Sequence, residues 1–426
     1  MRNNHRAKLL RLALAALLLA ASLLLAAPAN GQSNYYLKNG DRVVFYGDSI
    51  TDQMLYTGFV ETYTLTRFPR LNVTFVHSGW GGDRVTGGGG GPIDLRLRRD
   101  VFAHKPTVMT IMLGMNDAGY KAFDEGLYKT YTTGYEHIID SVKKELPGIR
   151  ITVIEASPFD DVTHPPSFEG GYNAVLVRYA QFAKELGERD GLAVADANTA
   201  FVEALQKANR TDPETAKRII PDRVHPAVGG ALLLAEGLLK AWNAPATVTA
   251  VEIDAAGKRV VSAENSKVTG LEAANGLAWS QLDVTLPMPL DLKDPVLALA
   301  VRSSDIEQAL DEEPLKVTGL AAARYTLKID GEEVGTFTKE QLAEGINLAL
   351  LPTPMAKQAA SVHALTGKRT QVHWARWRML QVPLADDHFA REQAALDALD
   401  RLDREIAARQ HSAAQPKSHH YELIPQ

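Results

Sequence analysis

Val43-Val44-Phe45-Tyr46-Gly47-Asp48-Ser49-Ile50-Thr51-Asp52 runs four apolar residues into Gly-Asp-Ser. An uninterrupted apolar run of this length reads as a strand covered on both faces, as strands of a parallel sheet are. Gly-Asp-Ser then reads as a sharp turn at its carboxyl end, with a helix starting just beyond. In open α/β sheets, ligands bind at that end of the strands. A serine at such a turn has an exposed hydroxyl and a free backbone N–H. Ser49 can therefore act as nucleophile and as oxyanion donor; taken alone, Asp48 or Ser49 could equally be a helix cap.

Working outward, short β-branched runs alternate with longer helix-period segments up to about Trp242. Strands are expected at Val43 to Tyr46, Val73 to His77, Val108 to Leu113, Ile151 to Glu155 and Leu192 to Ala195. Helices are expected around Leu95 to Phe102, Tyr131 to Glu145, Asn173 to Glu188 and Ala227 to Trp242. This alternation predicts an α/β domain with a doubly wound parallel sheet.

Three further segments place polar, turn-forming groups just past a strand or before a helix. His77-Ser78-Gly79-Trp80-Gly81-Gly82-Asp83-Arg84 is glycine-rich, but Arg84 stands where a dinucleotide fingerprint needs its third glycine. No Gly-Lys-Ser/Thr follows the run Gly87 to Gly91, so a P-loop is unsupported. Gly114-Met115-Asn116-Asp117 ends a buried-looking strand. A side-chain amide held there is a suitable donor to a developing oxyanion; the alternative is an ordinary Asn-Asp turn. In Pro221-Asp222-Arg223-Val224-His225-Pro226, Asp222 and His225 are three residues apart. The carboxylate can orient the imidazole while the opposite ring nitrogen faces Ser49.

Together the four segments resemble the blocks of the GDSL-type esterases known as SGNH hydrolases. Gly47-Asp48-Ser49 resembles the nucleophile block, Gly81-Gly82-Asp83 the glycine block, Gly114-Met115-Asn116-Asp117 the Gly-x-Asn-Asp block, and Asp222-Arg223-Val224-His225 the Asp-x-x-His block. His77 stands where many relatives have asparagine, and Arg84 where threonine is frequent. The resemblance covers about residues 40 to 243. It implies a three-layer α/β/α fold with a central parallel sheet of about five strands, flavodoxin-like in outline. It also implies a catalytic set of Ser49, Asp222 and His225, with Ser49, Gly82 and Asn116 forming the oxyanion hole. Trp80 and Arg84 are candidate substrate contacts. No metal or organic cofactor is required; His104, His137, His164 and His419-His420 lack the spacing of a ligand set.

After Ala244-Pro245 the texture changes to alternating strands and turns, including Asp330-Gly331 between two strand-like runs, a strong hairpin signal. Residues 246–385 are expected to form a smaller, mainly β accessory region, with Leu286 to Pro295 as an internal loop. Residues 386–426 are expected to be a terminal amphipathic helix and tail, with Phe389, Leu396, Leu399, Leu402 and Ile406 on its packing face. At the other end, Arg2, Arg6, Lys8 and Arg11 precede an apolar run from Leu12 to Ala27 and the small residues Ala27-Pro28-Ala29. The run is short of the roughly 20 residues that span a bilayer, so residues 1–31 read as a secretory signal peptide. The catalytic domain then occupies 35–245, in a protein that is secreted or periplasmic with no stable membrane insertion.

Composition narrows the chemistry. With 46 Lys+Arg against 51 Asp+Glu, the net charge of −5 lacks the basic excess expected of a nucleic-acid binder. No cysteine is present, so disulfides, thiolate metal sites and thiol nucleophiles are excluded. The expected partner is an acylated carbohydrate or another ester, and the expected reaction is removal of small acyl groups, chiefly acetyl, through an acyl-enzyme. The alternatives are a lipid-directed esterase or lysophospholipase, and a non-catalytic carbohydrate-binding protein in which Trp279, Trp374 and Trp377 are sugar platforms.

Overall fold

The computed structural model describes residues 34–273, 275–385 and 389–426; the expected leader lies outside them. Strands β1 (Arg42–Gly47), β2 (Thr74–Gly79), β3 (Val108–Met112), β4 (Arg150–Ile154) and β5 (Ala193–Ala195) form one sheet. Its order is β2-β1-β3-β4-β5, with every neighbouring pair parallel. Val43, Val44, Phe45 and Tyr46 are fully buried, as is every residue of β3, because helices cover both faces.

The helices used below are, in chain order, α1 (Ser49–Asp52), α2 (Leu55–Arg67), α3 (Ile93–Asp100), α4 (Glu125–Glu145), α5 (Gly171–Arg189), α6 (Thr199–Thr211) and α7 (Val228–Ala241). Strand order reverses at β1. Right-handed crossovers therefore send α2 to one face and α3, α4 and α5 to the other. Helix α7 packs against α2. The ends of β1, β2 and β3 meet at this switch point, which is where the four sequence blocks lie.

Two of these helices, α2 and α6, are absent from the sequence reading. Helix α2 is rich in Thr and Tyr, which favour strands, and all its residues but Leu55 are buried. It can hold threonines in its interior because their hydroxyls bond back along the helix, Thr64 to Val60 O (2.9 Å) and Thr66 to Thr62 O (2.9 Å). Helix α6 does carry a readable period, with Phe201, Ala204, Leu205 and Ala208 buried.

Beyond residue 245 lie two sheets. One contains β6 (Ala250–Asp254), β7 (Arg259–Glu264), β10 (Pro314–Thr318) and β13 (Ile346–Asn347), in the order β13-β10-β6-β7. The other contains β8 (Ser266–Glu272), β9 (Leu277–Asp283), β11 (Arg324–Ile329), β12 (Glu332–Thr338) and β14 (Ser418–Pro425), in the order β8-β9-β14-β11-β12. At the Asp330-Gly331 turn between β11 and β12, both residues have positive φ (53° and 79°), the conformation of a type I′ hairpin. The same region also holds the helices α8 (Pro295–Ser303) and α9 (Pro354–Trp374). The segment expected as a tail is in fact the central strand β14, with His419, Tyr421 and Leu423 buried in alternation. His419 and His420 are thus sheet residues, not tail residues.

Helix α10 (Glu392–Ala413) packs on α9 with part of the expected face, Leu399 and Ile406 being half-buried. Leu396 is buried, whereas Phe389 and Leu402 are exposed. Polar residues make the decisive contacts: Arg369 of α9 bonds Asp403 (3.0 Å), and Gln410 bonds Glu61 (2.9 Å) and Thr366 (2.6 Å). Glu61, on α2, also receives Arg369 (3.0 Å) and faces His77 (3.1 Å). Burial opposes its charge, but Arg369 and His77 outweigh that and hold the carboxyl below its ordinary range. This buried cluster joins α2 and β2 to α9 and α10 within one compact unit, residues 36–426. His77 is one of its members, which gives the unusual residue at that position a packing role.

Candidate active site

Strand β1 ends at Gly47, and Asp48 caps the single turn of α1, its Oδ1 accepting the Ile50 N–H (3.0 Å). Asp48 is the cap, and the cap presents Ser49. Ser49 Oγ lies 2.8 Å from His225 Nε2, and His225 Nδ1 lies 2.6 Å from Asp222 Oδ2. An ionised carboxylate only accepts, so Nδ1 carries the proton and Nε2 is left to accept from Ser49. Asp222 Oδ1 takes the backbone N–H groups of Val224 (3.0 Å) and His225 (2.7 Å), so both carboxylate oxygens are engaged. Partial burial opposes the charge on Asp222. The bonds from the His225 backbone and ring and from Val224 N–H prevail and keep its pKa below the usual value.

The turn that carries Asp222 and His225 is held from an unexpected side. Arg223 has φ +72°, a left-handed conformation rare for a side chain of its size. Its guanidinium lies over Phe159 (4.7 Å) and donates to Asp160 O (3.0 Å) and Asp161 Oδ1 (2.6 Å). The loop after β4 thereby anchors the histidine turn.

Gly82 follows β2 with φ +75°, a conformation that favours glycine. Among the described residues, neither its N–H nor that of Ser49 has a hydrogen-bond partner. Asn116, past the end of β3, donates from Nδ2 to Asp83 O (3.0 Å) and accepts at Oδ1 from the Tyr120 hydroxyl (2.9 Å). These two bonds set the amide orientation and leave its second N–H hydrogen available. Ser49 N–H, Gly82 N–H and Asn116 Nδ2 therefore belong to three strand ends that converge at the switch point, a geometry able to hold an oxyanion beside the serine.

Tyr120 was not singled out in the sequence. It has φ +55° and a ring that is 45% exposed, stacked on Tyr172 at 5.0 Å. Burial, then the charges of Asp48 and Asp222, push its hydroxyl up to about 12, so it stays a donor to Asn116. Its position just after Gly119 was the available signal: a glycine turn following the Asn-Asp block.

Trp80 does not offer a free face for a sugar. The Arg378 guanidinium sits 3.5 Å from its ring centroid, Trp377 meets it edge-on at 5.4 Å, and Gly89 and Gly90 pack against its other atoms. Arg84 is exposed. Of the other tryptophans, Trp279 is fully buried against Tyr421 (5.1 Å), and Trp377 is buried with Nε1 donating to Asp100 (2.7 Å). Both are packing residues. Trp374 and Trp377 lie on α9 and its continuation. Trp374 is 40% exposed and lines a groove of about 350 Å³ with Gln53, Met54, Leu55, Phe59 and Val228.

The model of the GDSL-like lipase/acylhydrolase family matches residues 45–231. An acetylxylan esterase of Geobacillus stearothermophilus is 27% identical over 230 residues, which cover 47% of this chain and 94% of that protein. A solved structure of a gut microbial diltiazem-metabolizing enzyme superimposes with a TM-score of 0.79 at 26% identity, over 93% of this chain and 100% of that one. At 93% of the chain, this last likeness takes in most of the residues beyond 245 as well as the parallel-sheet domain.

Proposed function

We propose, on the premise that residues 45–231 belong to the GDSL-like lipase/acylhydrolase family, that this carboxylic ester hydrolase removes small acyl groups, acetyl above all, from acylated carbohydrate outside the cytoplasm. The observation that carries the reading is the hydrogen-bonded chain Asp222–His225–Ser49. The side chains of Asp222 and His225 are 55% and 34% exposed, so a bulky polar alcohol can reach the reacting pair. The acetylxylan esterase relative supports acetyl as the acyl group, and the exposed Tyr120 ring beside Asn116 offers a surface for a sugar. Export rests on the basic and apolar leader alone.

In this reading Ser49 Oγ attacks the ester carbonyl carbon as its proton passes to His225 Nε2, and Asp222 stabilises the imidazolium that forms. Ser49 N–H, Gly82 N–H and Asn116 Nδ2–H hold the tetrahedral oxyanion. On collapse the bond to the alcohol oxygen breaks, and His225 returns its proton to that oxygen. Water then attacks the acyl-serine, again deprotonated by His225; the acid leaves and Ser49 recovers its proton.

One observation favours a second reading. The groove beside α1 is lined by Met54, Leu55, Phe59, Val228 and Trp374, and could take the longer apolar chain of a lipid ester. Rates on acetyl, butyryl and long-chain aryl esters and on acetylated xylan, with Ser49→Ala as control, separate the two. The carbohydrate reading expects fastest turnover of acetyl esters and acetate release from the polymer, reduced at least about 10³-fold in Ser49→Ala. Preference for long chains would replace it with the lipid reading, and silence on every ester by the folded protein would overturn both.

A further inference from the structure

Helix α9 continues beyond Trp374 as a wider π-helical turn, Ala375–Gln381, which carries Trp377 and Arg378. Such turns within helices are found preferentially at functional sites. Arg378 Nη1 donates to both oxygens of Asp52, at 3.2 and 3.3 Å, and lies 3.5 Å from Gly79 O. The same guanidinium stacks on Trp80. Asp52 ends the single turn that begins with Ser49, and its Oδ2 also accepts the Gly81 N–H (3.3 Å). One carboxylate thus holds the glycine loop on one side and is held by Arg378 on the other.

We infer that Arg378 is a positioning residue for the oxyanion site, so that the C-terminal region supplies part of the active-site architecture. The inference rests on the esterase reading above. Three of the four residues Gly79-Trp80-Gly81-Gly82 are glycines, a sequence with little conformational preference of its own. An oxyanion donor, however, must stand about 2.7–3.1 Å from the charge it stabilises. A Cβ on Gly79 would fall 2.2 Å from the Asp52 backbone nitrogen, so the loop lies directly against α1 and a shift of Asp52 is passed on to it. Arg378 fixes Asp52 by charge and Trp80 by stacking, which its planar guanidinium can do at once and a lysine ammonium cannot. The Trp377 indole bonded to Asp100 fastens the turn to α3. In turn Arg96, wholly buried, donates to Asp83 (2.8 Å) and to Ser78 O (2.8 Å) on either side of the loop.

The test compares Arg378→Ala and Arg378→Lys with the parent enzyme and Ser49→Ala. Readouts are kcat and KM on an acetyl aryl ester, the concentration of sites inactivated by an aryl phosphonate, and the melting temperature. Arg378→Ala should lower kcat per titrated site by about 10- to 100-fold with KM within about threefold, as expected for a donor displaced by up to an ångström. Arg378→Lys should recover only part of that loss. A residue that merely fastens the C-terminal region would change melting and leave kcat per titrated site alone. Parental kcat per titrated site in either variant overturns the inference, and if Arg378→Ala does not fold, Arg378→Lys decides it. Failure of the esterase reading looks different: the parent protein would be inactive on every ester, or Ser49→Ala would remain active.

Discussion

Asp48 and Asp117 sit buried near Ser49 and Asn116 with no cation among the described residues bonded to either, and both carboxyls are pushed up to about 7, chiefly by burial. Asp117 accepts the Val85 N–H at Oδ1 (2.9 Å), while its Oδ2 is buried without a partner. In the fold these groups hold a proton more tightly than in the unfolded chain, where an aspartate titrates near 3.9. Their contribution is therefore fully present below about pH 4 and is lost as the pH rises through 7. Asp117→Asn keeps the acceptor for Val85 and removes the titration. Urea unfolding of parent and variant at pH 5 and pH 8 should show the variant losing less stability between the two, by an amount on the order of 1 kcal/mol or more. Equal losses would mean that Asp117 ionises freely in the fold. At this scale the sequence was most legible where a turn past a strand or before a helix gathers polar groups, as with Ser49, Asn116, Asp222 and His225. It was least legible where the backbone does something its residue type disfavours. Tyr120 and Arg223 take positive φ because aromatic stacking and carboxylate partners, distant in sequence, hold them there.

Among elements, period and burial agreed wherever a strand was covered on both faces or a helix on one. The strands β1 and β3 could be read because an unbroken apolar run has few other uses. Helix α2 defeated that logic, since a helix buried all round has no polar face and threonines blur its period. Strand β14 alternates clearly, but its partners are not its sequence neighbours: it pairs with β9 and β11. A local reading cannot distinguish such a strand from a tail. The anchor of this sheet is Trp279, fully buried, stacked on Tyr421 and bonded through Nε1 to Gln281 (3.0 Å). Trp279→Ala should lower the free energy of unfolding by about 3–5 kcal/mol. A loss under about 1 kcal/mol would show that the sheet closes over the cavity.

Over the whole molecule, the C-terminal region is fastened to the parallel-sheet domain through a polar, buried interface. Arg369, Glu61, His77 and Gln410 satisfy one another there, and Arg67 reaches across to Pro245 O (2.7 Å) and Leu310 O (2.8 Å). Separating the two would leave charges buried or newly bared without partners, which is costly. Removing residues 418–425 should therefore affect more than the sheet that loses its middle strand. Tyr421 packs at Met355 near the start of α9, the helix that leads to Arg378. The shortened chain is expected to accumulate as aggregate, with ester turnover per milligram of soluble protein falling at least about tenfold. Full turnover from a soluble monomer would show that α9 is seated without that strand. The placement of β14 also has a consequence for biosynthesis. A nascent chain on the ribosome carries β9 and β11 with two unzipped edges until residue 425 has been made, and unpaired edges readily recruit strands from neighbouring chains. A translation product interrupted before β14 therefore leaves β9 and β11 without the strand that joins them.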